Sequence, residues 1–268
     1  MKKLAIGATI LVALGVPAFA ADMPVKAPAP PPPVYSWTGF YIGGNAGAVA
    51  SVPSGTSDFR DTADVPPFDT NPEQFSSANW SFLGGFQAGY NWQVNPYWVV
   101  GVEADWDWAR TRYSFCRQTD ISSSACIDSG DGFESIASKT DWIGTARARV
   151  GVTEGGILLY GTGGAAWGRV VTTLSQSCLV FGCGANSTLA LAASSTTTTD
   201  KVGWVAGVGV EYALSANWSA KAEWLYIDLG KINSSLTTAG TPGLQTTSWS
   251  RNERYDELRV GLNYKFGH

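Results

Sequence analysis

The chain has 268 residues, of which 44% are hydrophobic, with 18 lysines and arginines against 22 acids, one histidine and four cysteines. The acidic balance removes nucleic acid as a partner, because neutralising a phosphate backbone needs a surplus of cations. There is no apolar run of 18 or more residues that could cross a membrane as a helix, so the hydrophobicity has to be distributed rather than concentrated.

Lys2 and Lys3 precede a 13-residue apolar run from Leu4 to Val16 and then Ala18-Phe19-Ala20. This is the pattern of a secretory signal with an A-x-A cleavage site and assigns residues 1–20 to a signal peptide. Its loss removes two lysines and deepens the acidic balance. Residues 21–34 hold six prolines. Each fixes φ and removes an amide donor, so the segment is expected as an extended, Pro-rich periplasmic spacer.

Residues 35–268 then read as one domain of strands. The first, Trp37 to Ala48, sets Phe40, Ile42, Ala46 and Ala48 on one face. The second, Trp80 to Val94, alternates Trp80, Phe82, Phe86, Ala88, Tyr90, Trp92 and Val94 with Ser81, Gln87, Asn91 and Gln93. The third, Trp98 to Arg110, sets Val100, Val102, Ala104, Trp106 and Trp108 against Glu103, Asp105 and Asp107. The fourth, Lys139 to Val152, puts Trp142, Ala146, Ala148 and Val150 opposite Thr145, Arg147 and Arg149. A fifth, Ile157 to Thr172, is Gly-rich and its register stays open. The sixth runs from Lys201 to Leu214, with Glu211 on its polar face, and the seventh from Trp218 to Gly230, with Lys221 and Glu223. In the last, Leu258, Val260, Leu262, Tyr264 and Phe266 alternate with Arg259, Gly261, Asn263 and Lys265. Period-2 alternation on this scale is the signature of strands with one oily and one polar face.

Three connections are tight turns, at residues 95–97, 153–156 and 215–217. The intervening four, near residues 49–79, 111–138, 173–200 and 231–254, read as polar excursions. Strict alternation of short and long links puts all tight turns at one end, as in outer-membrane barrels. The expected fold is therefore all-β, an eight-stranded antiparallel up-and-down transmembrane β-barrel. Trp37, Trp92, Trp98, Tyr212, Trp218 and Phe266 would line its inner rim. Trp80, Trp106, Trp108, Trp142, Trp204, Trp224 and Tyr226 would line the outer one.

The charges fall on the polar faces. Glu103, Asp105, Asp107, Arg147, Arg149, Glu211, Lys221, Glu223, Arg259 and Lys265 are expected to form an ion-pair network in the lumen, because buried charges must be paired. The network could simply fill the barrel, or rearrange to admit water and small ions. Eight strands leave an interior only just wide enough for side chains. Cys116 with Cys126 and Cys178 with Cys183 form two local pairs that are expected as disulfides in an exported chain. No metal, cofactor or catalytic residue is assigned: the single histidine, His268, is terminal, and acyl transfer would need such a base beside its nucleophile.

The segments W-T-G-F-Y-I-G-G-N-A-G at 37–47, A-E-W-L-Y-I-D-L-G at 222–230 and R-V-G-L-N-Y-K-F at 259–266 resemble the porin-family small outer-membrane β-barrel proteins. These proteins of Gram-negative bacteria are often called outer-membrane immunogenic proteins and are related to the OmpA transmembrane domain. Gly267 and His268 follow the terminal aromatic, whereas such proteins usually end on it. The resemblance implies the cell outer membrane, with lipid and lipopolysaccharide around a monomeric barrel. It also implies that Leu258, Val260, Leu262, Tyr264 and Phe266 signal to the barrel-assembly machinery. It implies a structural protein with at most narrow passive permeability. The alternatives are a surface adhesin or ligand-binding protein acting through the long loops on an undefined ligand or host surface, and a secreted soluble β-protein.

Overall fold

A computed structural model describes residues 35–61, 68–69, 73–76, 78–118, 131–180, 191–240 and 243–267. The signal peptide and spacer expected over residues 1–34 lie outside the described residues. In chain order the strands are β1 (Gly39–Ser51), β2 (Ser54–Asp61), β3 (Phe68–Asp69), β4 (Glu73–Ser76), β5 (Asn79–Gln93), β6 (Trp98–Gln118), β7 (Asp131–Glu154), β8 (Ile157–Val180), β9 (Leu191–Ala213), β10 (Trp218–Gly240) and β11 (Gly243–Lys265). Strands β5 to β11 pair in sequence order, and β1 pairs with both β5 and β11, so eight strands close an antiparallel ring. The closing seam runs from Tyr41 opposite Lys265 to Ser51 opposite Tyr255. Closure leaves no free sheet edge in this part of the wall, which is what a strand needs in order to span lipid.

Alternation explains the two faces. Phe40, Ile42, Phe82, Val102, Val150, Val208, Leu258 and Val260 are exposed on the outside, while Tyr41, Leu83, Glu103, Arg149, Leu225 and Arg259 are buried inside. The register left open for the Gly-rich strand is now defined. Leu158, Tyr160 and Ala166 of β8 are buried and Ile157 and Leu159 are exposed. At one end the chain reverses tightly. Asn95 Oδ1 accepts from the backbone amides of Tyr97 and Trp98 at 2.9 and 2.8 Å, and Gly155 takes φ of 59°.

The four expected polar excursions are instead largely strand. Each strand from β7 to β11 has 23 or 24 residues, whereas about 9–11 suffice to cross lipid when tilted. The outward apolar row of β6 ends at Trp108, and Arg110 and Arg112 follow on the same exposed face. The ladders continue beyond this level because β-branched threonines pair across them, as in Thr173 with Thr196 and Thr237 with Thr246, both at 3.1 Å.

Beyond the apolar band the ring opens into two sheets. β5 and β6 part after Leu83 opposite Ala109, and β9 and β10 part after Trp204 opposite Asp228. Strands β6 to β9 continue as one sheet. β10 and β11 continue as the other, joined by β2, which takes over the edge of β11 from Asn252 to Gln245, with β3 and β4 paired to β2. Tyr113, Ile136 and Leu174 of the first sheet pack with Trp249 and Leu236 of the second, with Phe115 against Trp249 at 5.8 Å between ring centroids.

Glycine marks where backbones crowd inside the ring. A Cβ on Gly164 of β8 would press on the carbonyl of Ala146 and lie 2.7 Å from Arg147 Cα, while one on Gly161 would meet nothing within 4 Å. Gly164→Val is therefore expected to destabilise the folded barrel by about 1–3 kcal/mol through overpacking, and Gly161→Val to be neutral. Urea unfolding of the two variants in detergent, followed by tryptophan fluorescence, checks the contrast.

Candidate functional site: the sealed lumen

Nine of the ten charged side chains expected in the lumen join one connected network. Glu103, Asp105 and Asp107 share the inner face of β6 because residues two apart in a strand point the same way. Arg147 of β7 lies directly opposite Glu103, and Arg259 of β11 directly opposite Glu223 of β10. The side chains then reach across the barrel. Arg147 pairs with Glu103, with Asp105 at 2.9 Å and with Glu223 at 2.8 Å. Arg259 pairs with Asp107 at 2.6 Å, Asp105 at 3.1 Å and Glu223 at 2.7 Å. Lys221 Nζ donates to both carboxylate oxygens of Glu103 at 2.8 and 2.9 Å.

Arg149 and Glu211 form the layer nearer the tight turns. They pair at 3.1 Å, and the Arg149 guanidinium lies between the rings of Tyr41 and Tyr160, at 4.9 and 5.1 Å from their centroids. Glu211 also accepts from Ser219 Oγ and from Asn263 Nδ2. Both tyrosines close the network with hydroxyl donors, Tyr41 to Glu103 at 2.7 Å and Tyr160 to Glu223 at 3.2 Å. Their rings lie over Gly89 and Gly209 of neighbouring strands, where a side chain would collide with them. Charge-assisted bonds of this kind favour one arrangement, with Asp105 Oδ1, Asp107 Oδ1 and Arg149 Nη2 left without a hydrogen-bond partner among the described residues.

Lys265, the tenth, does not join. It sits at the rim, where Nζ donates to the Ser36 carbonyl and lies 4.2 Å from the Tyr35 ring centroid. Its place near the end of β11 puts it a full layer below the acids. Trp37, expected on the inner aromatic rim, is 1% exposed. It points inward with its indole NH donating to Thr153 Oγ1 at 2.7 Å, and packs with Val99, Leu158 and Tyr160 as an apolar floor. Trp92, Trp98, Tyr212, Trp218 and Phe266 are exposed on the rim as expected. Of the outer aromatics, Trp80, Trp108, Trp204 and Trp224 are exposed, and Trp106 stacks on Trp142 at 4.1 Å.

Above the ions lies an apolar layer of Val49, Leu83, Ile143, Val205, Leu225 and Ile227 with their neighbours. A polar layer follows, in which Arg251 pairs with Glu253 and donates to Ser138 at 2.8 Å, and Tyr255 shares a hydrogen bond with Thr140 at 2.8 Å. The cluster around Tyr113 and Trp249 comes last, and burial there pushes the Tyr113 hydroxyl up to about 12.

Glu257 was not anticipated. It shares the inward face of β11 with Arg259, one step before the outward apolar row that begins at Leu258. It is fully buried opposite Val49 and Leu225, both of the apolar layer, and neither carboxylate oxygen accepts a hydrogen bond among the described residues. The outward row Leu258, Val260, Leu262, Tyr264 and Phe266 lies on the opposite face, with Leu258, Val260, Leu262 and Phe266 exposed. Cys116 is disulfide-bonded. Cys126, Cys183 and the side chain of Cys178 lie outside the described residues.

The sequence matches the outer membrane protein beta-barrel domain over residues 6–266. It is 36% identical over 273 residues to the 31 kDa outer-membrane immunogenic protein of Brucella melitensis biotype 1, covering 98% of this chain and 100% of that protein. It is 30% identical over 277 residues to the 25 kDa outer-membrane immunogenic protein of Brucella abortus biovar 1, covering 99% of each. Among solved structures it is similar to the outer membrane protein OprG from Pseudomonas aeruginosa, with 15% identity, TM-score 0.49 and coverage of 87% of this chain and 99% of that one.

Two substitutions on one strand separate the paired from the unpaired charge. Arg259→Met strips Asp105, Asp107 and Glu223 of a shared partner and is expected to cost roughly 3–5 kcal/mol. Glu257→Leu removes a buried carboxylate from an apolar layer and is expected to leave stability unchanged or raise it. Urea midpoints of the refolded proteins in detergent give both values, and a loss with Glu257→Leu as large as that with Arg259→Met would contradict the assignment.

Proposed function

The chain belongs to the outer membrane protein beta-barrel domain family, and from that premise we propose that it is a structural element of the outer membrane whose lumen is closed to solutes. It is a β-barrel protein of the outer membrane of Gram-negative bacteria, kin to outer-membrane immunogenic proteins. The observation that carries the proposal is the stacking of unlike layers inside the barrel: the floor around Trp37, the ion pairs around Arg147, and the apolar layer around Leu225.

An ion in transit would have to displace the salt bridges and then cross a layer that is hydrocarbon apart from the single Glu257 carboxylate, too little to replace a hydration shell. Rearrangement of the ion pairs alone, the gate considered from sequence, leaves both apolar layers in place. The outward row of β11 supports its reading as a signal to the barrel-assembly machinery. A second reading, surface ligand binding, is supported by the two-sheet head that projects beyond the apolar band.

In planar lipid bilayers the wild-type protein and Arg147→Ala are both expected to give no discrete conductance steps. Regular steps in the wild type would establish a pore and end the closed-lumen proposal. Steps appearing only with Arg147→Ala would show that the ion pairs are the sole barrier. Deletion-strain assays of solute uptake and of surface attachment separate the structural from the ligand-binding reading.

A further inference from the structure

The outside of the barrel just beyond its apolar band carries a belt of charge in which three cations are matched to acids. Lys139 lies 3.4 Å from Asp141, Arg169 pairs with Asp200 at 2.7 Å, and Arg254 pairs with Asp228 at 3.2 Å. Arg110 and Arg112 on β6 are exposed and have no hydrogen-bond or ion-pair partner among the described residues. Arg112 stands directly opposite Lys139 of β7, and both point outward. Like charges facing one another across an antiparallel pair are destabilising unless an anion lies between them.

The surroundings have two further properties. The pairing of β5 with β6 ends at Leu83 opposite Ala109, so the edge of β6 from Arg110 onward carries backbone groups that β5 does not engage. The strands diverge there around a groove of about 540 Å³, lined by Trp80, Ser81, Arg110, Arg112, Ala137 and Lys139. Immediately on its membrane side stand Trp80, Phe82 and Trp108, which are 65%, 74% and 56% exposed. Phe86 packs edge-on against Trp108 at 5.8 Å. Three cations thus meet a large aromatic face at the level where the apolar band ends.

We propose that Arg110, Arg112 and Lys139 form a binding site for the phosphorylated sugar headgroup of an outer-leaflet glycolipid, lipopolysaccharide, whose acyl chains lie along Trp108, Phe82 and Phe86. The guanidinium groups suit phosphate oxygens through paired donors, and a phosphate would add to Asp141 in offsetting the repulsion between Arg112 and Lys139. A zwitterionic headgroup carries its own cation and does not supply that net charge. The inference rests on the outer-membrane placement and is independent of the closed lumen, which bilayer conductance tests separately.

The test uses the full-length folded protein in detergent micelles, with binding followed by titration calorimetry. The probes are bisphosphorylated lipid A, the same lipid freed of its phosphates, and inorganic phosphate. The double variant R110S/R112S is expected to bind lipid A at least about tenfold more weakly, as loss of two charge-assisted contacts implies. Dephosphorylated lipid should bind the wild type no better than lipid A binds the variant. Arg169→Ser, at the same level but matched to Asp200, should bind as the wild type does, and inorganic phosphate should not displace the lipid. Undiminished binding by R110S/R112S overturns the proposal, as does an equal loss with Arg169→Ser or displacement by inorganic phosphate. Heat-modifiable migration verifies folding of each variant, and Lys139→Ser, expected to weaken binding in the same direction, supplies the decision if the double variant does not fold.

Discussion

Arg147 and Arg259 each hold carboxylates from strands that are remote in sequence, and everything inside the barrel is arranged so that neither is left alone. Arg147 joins β7 to Glu223 of β10, and Arg259 joins β11 to Asp105 and Asp107 of β6. A desolvated charge that loses its partner costs several kcal/mol, far more than a surface pair contributes. The network therefore constrains which strands face one another across the lumen, over and above the hydrogen-bonded ladders that fix which are neighbours. The glycines on β8 and β9 follow from it. Gly164, Gly207 and Gly209 leave room beside the backbone where Arg147, Leu225 and Tyr160 have to lie.

The same network explains why the layers above and below are apolar. Ion pairs strengthen as water is removed, and the floor of Trp37, Val99 and Leu158 and the lid of Leu83, Ile143 and Leu225 remove it. Tyr41 and Tyr160 serve both sides: their hydroxyls donate to Glu103 and Glu223 while their rings cover Arg149. Closure of the lumen is in this sense a consequence of stabilising the charges, and needs no separate device.

Period-2 alternation in the amino-acid sequence was sufficient for the ring, its closing seam and the charged face of each strand, because lipid outside and ions inside make the two faces chemically opposite. It failed where the two faces are alike. In β8 Leu158 and Tyr160 face inward to the floor while Ile157 and Leu159 face lipid, so apolar residues run without a break. In the outer halves of β9 and β10 both faces carry serine and threonine, and strands read as loops. On the outer halves of β6, β7, β8 and β11 the inward Tyr113, Ile136, Leu174 and Trp249 keep the period, but too sparsely for a local window to register. Trp37 was misplaced for a related reason: near the rim the face of a residue is decided by what plugs the barrel. Lys265 keeps the inward face that alternation gives it, but finds the Ser36 carbonyl rather than an acid.

The split of the far end into two sheets ties these features to the bilayer. Within the apolar band every seam must be paired, since an open edge in hydrocarbon leaves amides with no partner. Once Trp108 and Trp204 are passed, water can satisfy an edge, and the seams between β5 and β6 and between β9 and β10 both open at about that point. The head is then free to be a two-layer structure held by its own cluster around Trp249, and to follow a different geometry from the ring beneath it. Lys201 Nζ, donating to the Lys231 carbonyl at 2.6 Å, bridges one of the open seams, and the other is flanked by Arg110 and Arg112. The bilayer thus sets where the ring must be continuous, and the polar surface begins where that demand ends.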